Sequence, residues 1–384
     1  MAEKFNIEET EQYFGPLYPY VMDDEITDID INTFQATGDD SFIWLTNSKN
    51  IRYKEPCSFS ENFIEQFTKR VANTVSRSFH KQSPILEAET DTLRITIVHE
   101  SVSVSGRSIS IRKSLPYVRL TEENMVESGY CSERVLALLK NCVKARLNIV
   151  FCGEPAAGKT ECAKFFSKFI PENERVITIE DTLEWHYHEV NPGKDCVELK
   201  VNRILNYTEA IRTCLRLNPK WIMLSETRSK EVVYLLECFS TGVRGMTTLH
   251  SDDVRNIPDR MLNMAGGERD ITNMENDIYN FIDVGVLLNR KEEKDENGKH
   301  VIRRYIEQVC FYDRSDGKNE IYMVVENGDL IEEVLPESIL HRMKKAGVLY
   351  PFSYMEEGVW NEIKGDTPIT LKGGTYRGRK AAIG

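Results

Sequence analysis

Eight consecutive residues, Gly153-Glu154-Pro155-Ala156-Ala157-Gly158-Lys159-Thr160, satisfy the spacing G-x-x-x-x-G-K-[ST] in full. That pattern calls for a loop whose backbone N–H groups converge on a phosphate, followed by a helix whose N-terminus adds positive potential. Within it, Lys159 would reach the β- and γ-phosphates of ATP, and the Thr160 hydroxyl would ligate Mg2+. Glu161, in the first turn of the expected helix, completes the candidate nucleotide-binding segment. Nucleotide hydrolysis also needs acids near the metal and the attacking water. Val176-Ile-Thr-Ile-Glu180-Asp181 and Trp221-Ile-Met-Leu-Ser-Glu226 each end an apolar run in carboxylates. Glu226 is placed to orient or deprotonate water, and Glu180 and Asp181 to hold Mg2+, mostly through its waters. His250 ends Met246-Thr-Thr-Leu-His and on spacing alone reads as structural. His186 and His188 in Glu184-Trp-His-Tyr-His-Glu lack a third ligand at metal spacing, so a solvated or partner-facing segment is expected there.

These side chains converge only if the right elements carry them. Short apolar runs at 147–152, 176–179, 221–224, 245–249 and 284–288 alternate with helical patterns at 159–169, 208–217, 229–240 and 253–264. Buried strands separated by helices define an α/β domain with a mostly parallel sheet, in which ligands bind at the carboxyl ends of the strands. A helix is also expected from Ser132 through about 145. The first third reads differently. Residues 25–32 alternate apolar and polar, 41–54 form a hairpin, and Ser60 caps a helix expected over 61–79. Further strands are expected at 93–98, 101–104 and 108–112. The division is an N-terminal α+β domain over 1–113 and a P-loop domain over 114–384. The latter carries a β-rich extension from about 300, with a turn at Asn327-Gly328. Residues 371–384 carry four basic side chains and no acid, and read as a mobile tail.

Composition narrows the class. Of 384 residues, 41 % are hydrophobic and 29 % charged, the balance of a folded globular chain rather than a disordered one. No apolar run approaches the roughly 20 residues of a membrane helix, and the first residues lack the apolar core of a signal peptide. The nine cysteines form no C-x-x-C pair and read as reduced, mostly buried residues of a cytosolic protein. The net charge of −12 argues against a surface built for nucleic acid or anionic lipid. It is concentrated, however: residues 5–48 contribute ten acids and no base, leaving 49–384 at a net −2. The acidity therefore belongs to one arm of the N-terminal domain and suits a basic partner there.

An ordered series of boxes gives the chain a family resemblance. Ile211-Arg-Thr-Cys-Leu-Arg-Leu-Asn-Pro219 leads into the Glu226 strand, and Ser240-Thr-Gly-Val-Arg-Gly-Met-Thr-Thr-Leu-His250 follows. With Ile179-Glu-Asp-Thr-Leu-Glu184 upstream, and Ile26–Asn32 and Arg107–Lys113 in the first third, the chain resembles the secretion-superfamily ATPases over about 20–290. These are the ring motors of type II and type IV secretion and of type IV or Tad pilus assembly. The resemblance implies a RecA-like fold, ATP and Mg2+ as ligands, and a hexameric cytoplasmic ring peripheral to the inner membrane. It further implies inner-membrane platform proteins as partners. By the same resemblance Glu226 is the catalytic glutamate, Glu180 and Glu184 serve metal and water, and His250 senses the γ-phosphate. Arg94, Arg107 and Arg112 match arginines that approach the phosphates as domains close. There is no four-cysteine zinc module, so no zinc is expected. Departures are Pro155-Ala156-Ala157 inside the loop, Ser225 for a glycine and Lys220 for an aspartate. An ATP-binding assembly platform with little turnover and a free-standing DNA-handling ATPase remain the alternative activities.

Overall fold

The computed structural model describes residues 7–38, 40–202, 204–266, 271–294, 300–356, 359–363 and 365–371. The chain forms two compact units. Unit 1 comprises residues up to Tyr117 together with Thr182–His186 and Lys291–Arg303, and unit 2 the remainder. The expected basic tail lies outside the described residues, apart from Leu371.

Unit 1 is a six-stranded sheet built from β1 (Ile26–Asn32), β2 (Phe42–Asn47), β3 (Arg52–Pro56), β4 (Ile85–Glu89), β5 (Leu93–Val98) and β6 (Ser108–Lys113). The order is β3-β2-β1-β6-β5-β4, and every pairing is antiparallel. Alternation places Ile29, Ile31, Ile43, Leu45, Ile95, Ile97, Ile109 and Ile111 on one buried face, against Phe14, Leu17, Phe67 and Val71 of the helical segments. Several acids of the N-terminal arm are used inside the unit. Asp30 accepts from Arg52 and Ser110, Glu9 from Thr90 and Thr92, and Glu25 from Ser48.

Two expectations here are corrected. The helix that Ser60 caps ends at Thr74, not 79. Ser76 adopts φ +51°, and the N–H groups of Ser76 and Arg77 return to the carbonyls of Asn73 and Ala72, a Schellman stop made without glycine. Residues 101–104 are turns, not a strand. His99 Nδ1 accepts from Ser101 N and the His99 carbonyl from Val102 N, so the chain reverses there, leaving Val102 and Val104 exposed.

Apart from the end of β12 and the start of β13, which fall in unit 1, unit 2 carries a nine-stranded sheet: β7 (Ile149–Gly153), β8 (Val176–Glu180), β9 (Cys196–Lys200), β10 (Trp221–Leu224), β11 (Arg244–Leu249), β12 (Val284–Lys294), β13 (His300–Asp313), β14 (Glu320–Glu326) and β15 (Asp329–Leu330). The order is β15-β14-β13-β12-β7-β11-β10-β8-β9. From β12 to β9 all pairings are parallel, while β13-β14 and β14-β15 are antiparallel. Asn327 and Gly328, both at positive φ, close the β14-β15 hairpin as expected of Asn-Gly. This is a RecA-like α/β fold. β7, β8 and β10 are buried along their whole length, as strands covered on both faces must be. The helix Glu133–Lys144 stops in a second Schellman turn at Arg146 (φ +56°), which feeds the chain into β7.

The segment expected to be solvated or partner-facing is buried in part: Trp185, His186 and Tyr187 are 1 %, 5 % and 0 % exposed, whereas His188 and Glu189 are exposed. The aromatic rings carry enough apolar area to outweigh the polar neighbours. Seven of the nine cysteines are buried and all are free, and burial pushes the thiols of Cys131, Cys142 and Cys162 up. Among the described residues, no helix is long and apolar enough to cross a membrane.

The segment after β15 is tied to the core at several points, among them Ser338 to Asp313, Arg342 to Asp283 and one buried amide. Asn141, 4 % exposed, donates to the carbonyls of Tyr350, Pro351 and Ser353. Asn141→Ala strands these acceptors, so urea unfolding should show a loss of about 1–3 kcal/mol. An unchanged midpoint would mean that the segment is held by other contacts.

Candidate nucleotide site

The loop expected to hold phosphate leaves the buried end of β7 and enters the helix Lys159–Ser167. Its first residue has to be glycine. Gly153 has φ +144°, and a Cβ there would lie 2.4 Å from the Leu288 carbonyl oxygen of β12. At the far end Gly158, φ +93°, sits at the N-cap of the helix. Ala156 between them has φ +63°, which costs a non-glycine residue about 1–2 kcal/mol. The helix is fixed from below by Phe166 stacked on Phe151 of β7 (6.1 Å, 17°). Glu161 Oε1 accepts from Arg119 N at 2.5 Å.

Three strand ends bring charged groups to the loop. Lys159, 9 % exposed, donates through Nζ to the carbonyls of Gly153 (2.9 Å) and Glu154 (3.0 Å), and Nζ is 3.2 Å from His250 Nδ1. The other ring nitrogen of His250 lies 3.2 Å from Glu226 Oε1. His250 Nδ1 also lies 3.2 Å from the Gly153 carbonyl, so the ring is lodged between the loop and Glu226. Glu226 Oε2 accepts from Arg228 at 2.6 Å, and the same guanidinium reaches Asp181 Oδ2 at 3.1 Å. The hydrogen bond to Glu226 is the main cause holding the Arg228 pKa above its ordinary value. One polar chain thus runs Lys159–His250–Glu226–Arg228–Asp181.

Side-chain ties between β10 and β11 set the spacing of that chain. Thr248 Oγ1 donates to the Ser225 carbonyl (2.6 Å), Thr227 N donates to the Thr248 carbonyl (2.8 Å), and the Thr227 and Thr247 hydroxyls are 2.8 Å apart. Ser225 also meets the Tyr207 hydroxyl at 3.4 Å, and burial pushes that phenol up to about 12. Arg260 Nε donates to the His250 carbonyl (3.2 Å). A cavity of about 410 Å³ opens beside Gly153–Pro155, walled by His250, Ser251, Asp252, Asn256, Asp259 and Arg260.

The structure brings together the loop, Glu226, His250 and Asp181. Glu180 is fully buried at the end of β8. Arg94, Arg107 and Arg112 belong to unit 1. There Arg107 makes a two-point ion pair with Glu100 (3.0 Å each), and Arg94 and Arg112 are exposed partners on β5 and β6. Arg228, Arg260 and Arg304 also belong to the site, and of these only Arg228, two positions after Glu226, has a local sequence signal. As for Mg2+, no group of three or more His, Cys, Asp or Glu among the described residues is placed to hold a metal by itself. That fits the ion, which is held by few protein oxygens plus phosphate and water rather than by an all-protein cage. The Thr160 hydroxyl and the strand-end acid Asp181 are donors of that kind.

Loop, strand-end acids and parallel sheet define a P-loop NTPase. Residues 85–347 match the family described as type II/IV secretion system protein, and the chain belongs to that family of ATPases. It is 29 % identical over 294 residues to an uncharacterized protein of Bacillus anthracis, covering 75 % of this chain and 65 % of that protein. It is 25 % identical over 266 residues to a putative conjugal transfer protein of Mycobacterium tuberculosis, covering 66 % of this chain and 74 % of that one. The fold is similar to that of the Yersinia pseudotuberculosis ATPase DotB (TM-score 0.56, 15 % identity, 79 % of each chain). It also resembles the pilus retraction motor PilT with bound ADP (TM-score 0.53, 14 % identity, 73 % of this chain and 78 % of that one).

Gly153→Ala tests whether the backbone geometry is obligatory. The added methyl must displace the β12 backbone, so a stability loss of about 2 kcal/mol or more is expected, together with loss of ADP binding in a titration. Native-like binding by this variant would show that the loop tolerates the shift.

Proposed function

We propose that this chain is an Mg2+-dependent ATPase that works as a ring, a hexamer, on the cytoplasmic face of a membrane. Turnover there powers a secretion, conjugation or pilus-assembly apparatus. The observation that carries this reading is the Lys159–His250–Glu226 connection. The group suited to the β- and γ-phosphates and the group suited to water are joined through one imidazole at three strand ends.

In this reading the phosphates enter the loop, its N–H groups and the helix N-terminus take up their charge, and Lys159 turns from the Gly153 and Glu154 carbonyls to the phosphate oxygens. His250 then loses its lysine partner and faces the terminal phosphate while Nε2 still engages Glu226. Glu226, held from the other side by Arg228, orients the attacking water and accepts its proton. Thr160, Asp181 and Glu180 would hold Mg2+, the two acids through its waters, and the ion would supply charge neutralisation at the phosphates. Arg94, Arg107 and Arg112 are the candidates to add positive charge when the units close, and Arg107 would first have to leave Glu100. Family membership supports the motor class, and the acidic N-terminal arm supports a basic docking partner on the membrane apparatus.

Phosphate release from MgATP tests the reading. Wild type should turn over, Glu226→Gln should bind MgATP yet release phosphate about 10²–10³-fold more slowly, the scale of a lost general base. Lys159→Ala should weaken nucleotide binding about tenfold or more, the scale of lost charge-assisted hydrogen bonds. Equal rates in all three would leave an assembly platform that binds ATP without using it.

A further inference from the structure

β13 carries one side chain along the outer wall of the phosphate loop. Arg304 Nε donates to the Ala156 carbonyl at 3.1 Å, and its Cδ lies 3.2 Å from where a Cβ on Gly158 would stand. Both contacts fall where the loop backbone is least ordinary, at φ +63° and +93°. Alternation into the left-handed region is what turns successive N–H groups toward one side and makes an anion-binding concavity. Glycine adopts that conformation freely, whereas alanine resists it because its Cβ crowds the following carbonyl. The loop of this chain therefore needs a restraint at position 156 that a glycine there would not need. Arg304 is the side chain that grips the carbonyl of that residue.

We propose that Arg304 is a positioning residue for the phosphate loop. By holding the Ala156 carbonyl it keeps the left-handed alanine in place, so that the N–H cradle is preformed for the phosphates of a nucleoside di- or triphosphate. Its charge adds to this. Burial is the main cause lowering the Arg304 pKa, and the positive charges of Arg290 and Arg119 lower it further. An arginine keeps its proton regardless. Positive charge is thus gathered beside the loop at an electrostatic cost that a bound polyphosphate relieves. Gly158 is required by its φ of +93°, and a Cβ there would in addition press on Arg304 Cδ at 3.2 Å. The inference rests on the nucleotide-binding reading above, and it concerns binding rather than turnover.

The test is a double-mutant cycle on the full-length chain, read as ADP affinity, with nucleotide-free melting as the folding control. Arg304→Gln should weaken ADP about tenfold, the size of one charged hydrogen bond lost, and Ala156→Gly, whatever its own affinity, supplies the second reference background. In the Ala156→Gly background the Arg304→Gln loss should shrink to about threefold or less, because glycine no longer resists the pose. Arg304→Lys keeps the charge without the Nε donor and should remain weakened, and it serves as the milder variant if Arg304→Gln melts early. Wild-type ADP affinity in Arg304→Gln, or the same loss in both backgrounds, would overturn the assignment. Failure of the wild type itself to bind ADP would instead sink the nucleotide-binding reading on which it stands.

Discussion

The ammonium of Lys159 is the constraint around which the rest of the site is arranged. It is a buried charge, and a buried charge is tolerable only when its donors are engaged. Among its partners are two carbonyls at the end of β7 and the imidazole of His250, which follows β11. All can be given up to a phosphate, which offers the same hydrogen bonds plus opposite charge. The obligatory Gly153, the stacked Phe151 and Phe166, and the threonine ties between β10 and β11 all serve to keep those partners in reach. A site with a lysine satisfied in this reversible way is primed for an anionic ligand without an exposed or unpaired charge in its absence.

From that lysine the polar chain through His250, Glu226 and Arg228 to Asp181 crosses three more strand ends, those of β11, β10 and β8. In the proposed reading, coupling of phosphate binding to water activation needs no long-range device, because one histidine touches both the lysine and the glutamate. Glu226 is gripped from both oxygens, one by His250 and one by Arg228. Its orientation is therefore held from two sides by groups that can stay in place when Lys159 turns to a phosphate.

The parts of this arrangement that were legible in the sequence are those whose signal is local. The Gly153–Thr160 spacing, the apolar runs ending in Glu226 and Glu180, and the Asn327-Gly328 turn are each carried by adjacent residues. What escaped has a physical reason in each case. β4 and β9 alternate over only four residues each, Leu-Glu-Ala-Glu and Val-Glu-Leu-Lys, too short a run to stand out from the flanking polar sequence. The early end of the helix at Thr74 depends on a serine taking a conformation that glycine normally supplies. Val102 and Val104 alternate with serines as a strand would, but no sheet neighbour is there to bury them. Arg304 touches the phosphate loop from 148 residues away, a distance over which no spacing rule applies. Trp185 and Tyr187 are buried because aromatic area outweighs the flanking histidines, a balance that a polarity pattern misjudges.

The most direct test of this account is a structure of the chain determined with MgADP and a γ-phosphate mimic. The account predicts phosphate oxygens within hydrogen-bonding distance of Lys159 Nζ and the loop N–H groups, the Lys159–His250 contact broken, and the His250–Glu226 contact kept. Lys159 still seated on the Gly153 and Glu154 carbonyls, with nucleotide bound elsewhere or not at all, would contradict it.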